Sequence, residues 1–426
     1  MASVAWVGNG QNIAQVTTLV VNAVAVGGTL SATINGKSIT YTCVTGDTTA
    51  TAATNWQALL TASDVPPEFG EIDWTVSGST ITATAGTPGT PYTLTKSQSG
   101  GATCTLTTTV ANSSQSDLTN AANWNRLGIP ALPTTGDDVI IANTAVPILW
   151  NLDGLSGVLL NSWTRYQSFT GTIGLPENNP LGYVEYRPTY LELGSNVNPA
   201  LDGFALTLGP GEGSGPTRER YDMQSYRTNF VAIAAGAPED AYSIRFLGSH
   251  GENNLKITNV SVGVAMLPTE TFPTGATIGT ATVDGGGTLD CGTGCTFSGT
   301  GGGGSITITG GTSTLFCVPN IVARNNATVT LSAPDGTYST ITAVNGVQMT
   351  ITCAMTITSL TLQKSSNLDA SQNLGDVTIT SSTMDGDTCQ ILDPNNTITF
   401  TNATTVAGQV SSGPITFTGS RTLKLT

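Results

Sequence analysis

Charged residues are scarce in this 426-residue chain, and the basic ones are scarcest of all. Only 10% of the residues are charged, with Lys+Arg at 14 and Asp+Glu at 28, so the formal net charge is -14. So few cations cannot neutralise a phosphate backbone, and we expect no nucleic-acid partner. Helical bundles and coiled coils are excluded as well, because they need far more Glu, Lys, Leu and Ala in helical spacing.

Histidine is nearly absent, and this removes most nucleophilic chemistry. The one histidine, His250, lies in a turn-like Ser-His-Gly-Glu segment, and no Gly-x-Ser-x-Gly motif accompanies it. Cys291 and Cys295 are spaced as metal ligands can be, but no second Cys/His pair follows at a suitable distance. We therefore expect no metal and no cofactor. The seven cysteines are interpreted as small buried hydrophobes of a reducing compartment: Cys43, Cys104, Cys291, Cys295, Cys317, Cys353 and Cys389.

Long apolar runs are also missing. No stretch approaches 18 apolar residues, and the segment Met1 to Gln11 has neither a basic start nor an apolar core. We expect a protein that is made in a cytoplasm, lacks a classical export signal and does not insert into a membrane. Hydrophobic residues nevertheless make up 38% of the chain, many in alternating runs, which predicts folded β-structure rather than disorder.

The first predicted domain covers residues 1–112 and mixes strands with one helix. Asn35-Gly36 supplies the two positive-φ positions of a hairpin turn within Thr29 to Cys43. The segment Ala50 to Ala62 carries one apolar face and predicts a helix, which Asp47 or a neighbouring Thr can cap. Further strands follow up to Val110. The pattern predicts a ββαββ-like α/β domain, which we expect to serve as an anchor.

Residues 113–160 are predicted to open a stacked β-structure. Trp124 precedes a Gly136-Asp137-Asp138 turn that leads into an apolar strand, as expected of a cap that shields a first rung from water. Turn chemistry is the favoured role of the two aspartates, with calcium binding as the alternative.

Residues 161–268 are the least regular part and are predicted to be a loop-rich insertion. Arg and Tyr are enriched in interface cores, so we expect contacts with partner proteins here or through the first domain. The residues concerned are Trp163, Arg165, Tyr166, Phe169, Tyr183, Tyr186, Arg187, Tyr190, Arg218, Arg220, Tyr221, Tyr226, Arg227 and Arg245.

The last predicted region, residues 269–426, carries a repeat of about 19 residues from about Ile306 onward. Apolar-x-apolar pairs recur at Ile321/Ala323, Ile341/Ala343, Leu360/Leu362, Val377/Ile379, Ile398/Phe400 and Ile415/Phe417. A second series follows at Val329/Leu331, Met349/Ile351, Leu368/Ala370, Met384, Val406 and Leu423/Leu425. Short rungs that share one continuous core predict a mainly β chain with a right-handed parallel β-helix, with Gly285 to Gly287 and Gly301 to Gly304 at rung corners.

Paired carboxylates are the remaining enzymatic option, since they can cleave polysaccharides. Asp335, Asp369, Asp376, Asp385, Asp387 and Asp393 lie on or near the predicted rungs. Most stand beside Gly, Asn or Pro, where carboxylates usually cap turns. We assign no catalytic residue and expect a protein that is not an enzyme.

Four segments together resemble a known group of proteins. They are AWVGNGQNIAQV, LSATINGKSITYTC with PGTPYTL, DLTNAANWNRLGIPALPTTGDDVIIAN, and SFTGTIGLP with YRPTYLELG. The whole chain resembles predicted β-helical proteins of planctomycete-type bacteria and of their phages and prophages, and the first domain is similar to small domains of tailed-phage virions.

This resemblance implies a structural protein of the virion, in a capsid decoration or in a tail fibre or spike. The expected partners are other virion proteins, and a host-surface glycan is a further candidate. We expect a homo-oligomer, with a trimer as the working hypothesis. The alternatives are a bacterial surface adhesin or filament subunit, and a polysaccharide depolymerase.

Overall fold

The computed structural model describes most of the first half of the chain and the rungs of the second. The described residues are 2–195, 204–237, 243–248, 254–258, 264–265, 277–278, 280–284, 288–291, 296–297, 305–309, 312–315, 320–333, 335–373, 375–384, 389–393, 397–402, 404–406, 409–410, 415–418 and 421–424. The chain is mainly β, and its dominant feature is a parallel β-solenoid over residues 138–400.

The first strands are β1 (Ser3–Trp6), β2 (Val16–Ala23), β3 (Thr29–Ile34), β4 (Lys37–Thr42), β5 (Ile72–Ser77), β6 (Thr80–Ala85), β7 (Thr95–Ser99) and β8 (Thr103–Val110). Helix α1 (Thr49–Leu60) and the 3₁₀ helix Pro67–Glu71 lie between β4 and β5.

The remaining strands are β9 (Trp124–Arg126), β10 (Ile129–Pro130), β11 (Asp138–Ile141), β12 (Leu159–Leu160), β13 (Ser162–Arg165), β14 (Leu191–Glu192), β15 (Gly194–Ser195), β16 (Phe204–Leu208), β17 (Glu219–Asp222), β18 (Thr228–Ala232), β19 (Ile244–Leu247), β20 (Asn254–Thr258), β21 (Val264–Ala265), β22 (Thr277–Ile278), β23 (Thr280–Asp284), β24 (Thr288–Cys291), β25 (Thr296–Phe297), β26 (Ser305–Thr309), β27 (Thr312–Leu315), β28 (Asn320–Arg324), β29 (Thr328–Leu331), β30 (Gly336–Val344), β31 (Gln348–Ile351), β32 (Met355–Gln363), β33 (Asn367–Asp369), β34 (Val377–Met384), β35 (Gln390–Asp393), β36 (Thr397–Phe400), β37 (Thr404–Val406), β38 (Gln409–Val410), β39 (Ile415–Thr418) and β40 (Arg421–Lys424). A second 3₁₀ helix, Ala121–Asn123, precedes β9.

Strands β2 to β8 and helix α1 form a compact unit, residues 16–110, which we call the module. Its strands make two antiparallel sheets, in the orders β5-β6-β2-β8 and β4-β3-β7. Thr48 caps α1 by accepting a hydrogen bond from the Thr51 amide, because Thr oxygens satisfy the free amides of a first turn. The buried indole of Trp56 packs in the module core and donates to the Ile39 carbonyl.

Two parallel sheets run along the solenoid. The long sheet joins β11, β13, β16, β18, β20, β23, β26, β28, β30, β32, β34 and β36 in that order. The second sheet, of 11 strands, contains β14, β17, β19, β21, β24, β27, β29, β31, β33, β35 and finally β40. Inward side chains of both sheets share one hydrophobic core, which no single rung could bury alone.

The first strand belongs to the solenoid and not to the module. Strand β1 pairs in parallel with β11, with Ser3 opposite Asp138 and Trp6 opposite Ile141. The predicted boundary at residues 1–112 is therefore wrong at its start, and the module is an insertion between β1 and β9. The alternating pattern of Ser3–Trp6 is too short to reveal a partner strand so distant in the sequence.

The region 161–268 is not an insertion outside the rungs. Strands β13, β16, β18 and β20 extend the long sheet through it without a break. The rungs here have longer and more variable connections than those after residue 305, so no fixed spacing appears in the sequence. The solenoid therefore begins well before the predicted residue 269.

The predicted repeat is in register over its first three turns. Each inward residue has the expected neighbour one rung away, as the rows Ile321–Ile341–Leu360 and Ala323–Ala343–Leu362 show. In the second sheet the row Val329–Met349–Leu368 is likewise continuous. The structure therefore confirms the predicted alignment of these apolar pairs.

The predicted alignment is wrong between Leu360/Leu362 and Val377/Ile379, although Val377 and Ile379 do lie opposite Ile398 and Phe400 as predicted. Leu360 lies beside Ser382, whereas Val377 lies beside Met355. Met384, assigned to the second series, lies in the long sheet between Leu362 and Val406. The last predicted members form no further rung, because β39 and β40 run antiparallel to β36 and β35.

The predicted alignment fails because the long strands bend. In β32, Ile357 and Leu360 are both buried with two more accessible residues between them, so the alternation shifts at Thr358-Ser359. Strands β30 and β34 bend at the equivalent positions. One strand thus carries two separate apolar pairs, and the sequence does not say which pair aligns with which.

Paired residues in the left-handed region form the corners after β28, β30 and β32. They are Asn325-Asn326, Asn345-Gly346 and Lys364-Ser365, with φ between 49° and 79°. Asn345 Nδ2 donates to Asn325 Oδ1 at 2.9 Å, which links two corners on successive rungs. The corners predicted at Gly285 to Gly287 and Gly301 to Gly304 lie outside the described residues.

Antiparallel strands close both described ends of the solenoid. At the start, the hairpin β9–β10 covers the free edge of β1, and Trp124 packs edge-on against Trp6 and Trp163, with ring centroids 5.1 and 6.4 Å apart. At the other end β39 and β40 cover β36 and β35. Such closure blocks the edge pairing by which open sheets associate. In the described part of the chain no helix is long and apolar enough to cross a membrane.

Candidate functional site

The module and the solenoid meet at a network of charges centred on Arg187. Its guanidinium Nη2 donates to Glu71 Oε1 at 2.8 Å, and its Nε donates to Glu185 Oε1 at 2.7 Å. Nη1 donates to the Pro91 carbonyl at 2.9 Å. Glu71 ends the 3₁₀ helix of the module, whereas Glu185 and Arg187 lie in a solenoid loop, so one side chain joins the two units.

Aromatic rings surround this guanidinium. Its central carbon lies 5.0 Å from the Trp150 ring centroid and 4.8 Å from that of Tyr186, within the range of cation–π attraction. Tyr183 donates its hydroxyl to Glu71 and also contacts Arg187. The planar fork of arginine can hold two carboxylates and stack on rings at the same time, which lysine cannot do.

The pKa values of these groups follow from burial and from the paired charges. Burial would raise the pKa of Glu185, but the hydrogen bonds and charge of Arg187 outweigh it and lower that pKa. Burial raises the pKa of Tyr186 to about 12. The Glu185 carboxylate and the Arg187 guanidinium therefore stay ionised at neutral pH and keep their ionic contact.

An open cleft of about 470 Å³ lies beside the junction. Gly70, Gly86, Thr87 and Thr90 line it from the module, and Trp150, Asn179, Pro180 and Leu181 line it from the solenoid, with Glu71 and Arg187 between them. The cleft is a shared surface of the two units and exists only while they remain in contact.

The solenoid flank carries a pair of carboxylates that the sequence patterns did not predict. Glu192 and Asp222 lie opposite each other on the adjacent strands β14 and β17. Burial first, and then the charges of Asp222 and Asp153, raise the pKa of Glu192. Burial also raises the pKa of Asp222. Neighbouring strands lie about 4.8 Å apart, so the two carboxyl groups can act on one ligand.

The carboxylates singled out in the sequence do not form such a pair. Asp369 accepts the Ser371 amide at 2.8 Å, and Asp376 accepts the Thr397 amide at 3.1 Å, so both cap backbone. Asp335 has a φ of 53° and lies at a rung corner. Asp385 and Asp387 lie outside the described residues, as does the side chain of Asp393.

Asp137 is a buried cap of its turn. It accepts hydrogen bonds from the Thr134 amide and hydroxyl, both at 2.9 Å, and from Arg126 Nε at 2.8 Å. Asp138 accepts from the Ser162 hydroxyl at 2.6 Å. The predicted turn chemistry is confirmed for Asp137, whereas Asp138 begins β11 and links it to the next rung. Nowhere in the described chain do three His, Cys, Asp or Glu side chains form a group that could hold a metal ion.

The structure describes only some of the cysteines considered above, and it does not describe the histidine. Cys43 and Cys104 are buried free thiols, Cys353 is a partly buried one, and Cys389 is buried. His250, Cys295 and Cys317 lie outside the described residues. Cys291 lies in β24, but its side chain is not among those described.

Many of the Arg and Tyr residues expected at a partner interface are buried, some of them in the solenoid core. Trp163, Phe169, Tyr190, Arg220 and Tyr221 are buried, and only Tyr166 of the set is an exposed large hydrophobic.

Arg165 is wholly enclosed in this core. Its Nη2 donates to Glu219 Oε2 at 2.5 Å, and Tyr221 donates its hydroxyl to Glu219 at 2.9 Å. The ion pair satisfies charges that would otherwise be costly in the core. These side chains are structural, because interior polar groups need internal partners.

No protein-family model matches the chain, and no curated protein is significantly similar to it.

Proposed function

We propose that this chain is a non-enzymatic structural protein of a phage virion, either a capsid decoration or part of a tail fibre or spike. The observation that supports this role most directly is the junction at Arg187, which joins the solenoid to Glu71 and the Pro91 carbonyl of the module. Glu185 and two aromatic rings hold the guanidinium in place from the solenoid side. A rod that projects from a particle must transmit force to its anchor without bending there. The resemblance described above supplies the virion setting.

The closed ends of the solenoid support the same proposal. A rod made of stacked rungs resists proteolysis through its continuous core, and its covered edges prevent uncontrolled growth into fibrils. The net charge of -14 favours repulsion between particles. Module residues would bind the shell or tail, and the solenoid would face outward. We include a homotrimer in the proposal, which light scattering of the purified chain tests.

Cryo-electron microscopy of particles from the host that encodes the chain tests the location. Copies at symmetric positions on a capsid or tail, with the module against the shell, are the expected result. Copies in a bacterial surface filament would support the adhesin alternative and overturn the virion proposal.

A second candidate function, polysaccharide depolymerase, is favoured by the Glu192–Asp222 pair. Glycoside hydrolysis requires two carboxyl groups, one of them an acid with a raised pKa, and burial raises the pKa of both Glu192 and Asp222. The test is release of reducing ends from capsular polysaccharide by the full chain and by E192Q and D222N. Activity that disappears in both variants would replace the structural proposal by this one. Equal background from all three proteins would exclude it.

A further inference from the structure

We propose that the cleft between the module and the solenoid binds a short, electrically neutral oligosaccharide. This proposal rests on the proposed function and deepens it, because it names the chemical class that the projecting rod would recognise on a surface. The cleft of about 470 Å³ falls within the range of about 300–1,000 Å³ that is usual for small-molecule sites.

The charges at the cleft favour a neutral ligand. Arg187 is the one cation among its lining residues, and its guanidinium is already paired with Glu71 and Glu185. Two carboxylates against one guanidinium leave no positive charge for a sulfate, phosphate or uronate group. An anionic ligand would meet net repulsion, whereas a polyol would not.

The lining groups suit a sugar ring in particular. Thr87 and Thr90 contribute hydroxyls from the module that make no hydrogen bond with any described residue, so they can bind ligand hydroxyls. Trp150 contributes a partly buried indole from the opposite wall, and Leu181 is 49% exposed at the rim. Sugars present hydroxyls at their edges and apolar C–H faces, and aromatic rings bind such faces while hydroxyls fix their orientation.

The position of the cleft gives ligand binding a structural consequence. A ligand held by Thr87 on one wall and Trp150 on the other touches both units at once. Binding would thus stabilise the contact between the module and the solenoid, because a ligand that binds only the closed arrangement favours it.

A substitution of Gly70 can be used to block the cleft. It is exposed in the 3₁₀ helix, and an added Cβ would meet no atom within 4 Å. G70L therefore fills the cleft without a clash in the fold. Gly157 is equally open and lies outside the cleft, so G157L is the matched control. The double variant T87V/T90V removes the hydroxyls while preserving side-chain volume.

The experiment is saturation-transfer NMR and titration of the full chain with cellotriose, chitotriose and trigalacturonate. We expect binding of a neutral trisaccharide, no binding of the uronate, and a dissociation constant at least tenfold weaker in G70L and in T87V/T90V than in G157L. Binding that survives both blocking variants would overturn the proposal, as would preference for trigalacturonate or lack of binding by every probe.

The outcome is separable from that of the proposed function. Loss of oligosaccharide binding leaves the position of the chain on a particle unchanged. A chain found away from any virion could still bind the trisaccharide, and binding would then belong to the adhesin alternative.

Discussion

At the scale of single residues, the contact between the module and the solenoid depends most on Arg187. Its side chain is 9% exposed, and replacing it by alanine leaves Glu71 and Glu185 close together without a counter-charge. We expect R187A to lower the free energy of unfolding by about 3 kcal/mol, as measured by urea denaturation.

The conservative variant R187K separates charge from geometry. Lysine keeps the positive charge but cannot reach two carboxylates and a carbonyl while stacking on Trp150, so it should recover only part of the lost stability. Full recovery in R187K would mean that charge alone holds the junction.

Asp137 gives the fold a dependence on acid. Burial would raise its pKa, but hydrogen bonds from Arg126 and Thr134 outweigh burial and lower the pKa to about 2. Because the folded pKa lies below the unfolded one, this stabilisation is complete above about pH 4 and is lost as pH falls towards 2. It amounts to about 2 kcal/mol.

Thermal melts between pH 2 and pH 6 measure this contribution. The difference in stability between the natural chain and D137N should be largest at pH 6 and shrink towards pH 2. The exposed Asp64 provides the control D64N, which should show no such trend. A difference that stays constant across the range would contradict the assignment.

Residue chemistry was predictable where it is local. The turn role of Asp137 follows from the neighbouring glycine. The Glu192–Asp222 pair does not, because its members are thirty residues apart (222 − 192) in a region of unequal rungs. Their adjacency depends on β14–β17 pairing, which no short pattern encodes.

At the scale of elements, the rung corners show which features of the solenoid the sequence encodes. Asn345 has a φ of 69°, a conformation that asparagine tolerates and β-branched residues avoid. We expect N345V to destabilise the chain by roughly 1–2 kcal/mol, because valine pays the steric cost of the left-handed region. Differential scanning calorimetry would measure it.

The variant N345G is the companion to this test. Glycine accepts the same φ and loses only the exposed hydrogen bond to Asn325. Its stability should therefore stay close to that of the natural chain. Equal losses in N345G and N345V would assign the effect to the hydrogen bond and not to the backbone.

The bent strands explain how far the repeat could be predicted. Alternation identifies inward residues such as Leu360 and Val377 correctly, since both are buried. Alternation alone cannot show that two consecutive outward residues occur at each bend and shift the inward positions by one residue. The register after Leu362 could therefore be determined only from the strand pairing in the structure. The fold class, in contrast, followed from the recurrence of short apolar pairs.

At the scale of the whole molecule, the antiparallel strands β39 and β40 should keep the solenoid from associating end to end. Truncation after Val410 removes both and uncovers the edges of β36 and β35. We expect the truncated chain to form larger, heterogeneous assemblies, which size-exclusion chromatography with light scattering would detect.

A charged edge supplies the control for this truncation. Thr399 lies in β36, and lysine there should suppress edge pairing in the truncated chain. If the truncated chain keeps the mass distribution of the full chain, the antiparallel strands are not what limits association.

The position of β1 also has a consequence for the order in which the molecule folds. The Ala2 amide donates to the Asp137 carboxylate across 135 positions of sequence, and β1 has no parallel partner until β11 has been made. During synthesis the module emerges before β11 and can fold around its own hydrophobic core, while Ser3–Trp6 remains unpaired with β11. The ribosome must therefore release β11 before the first rung can close.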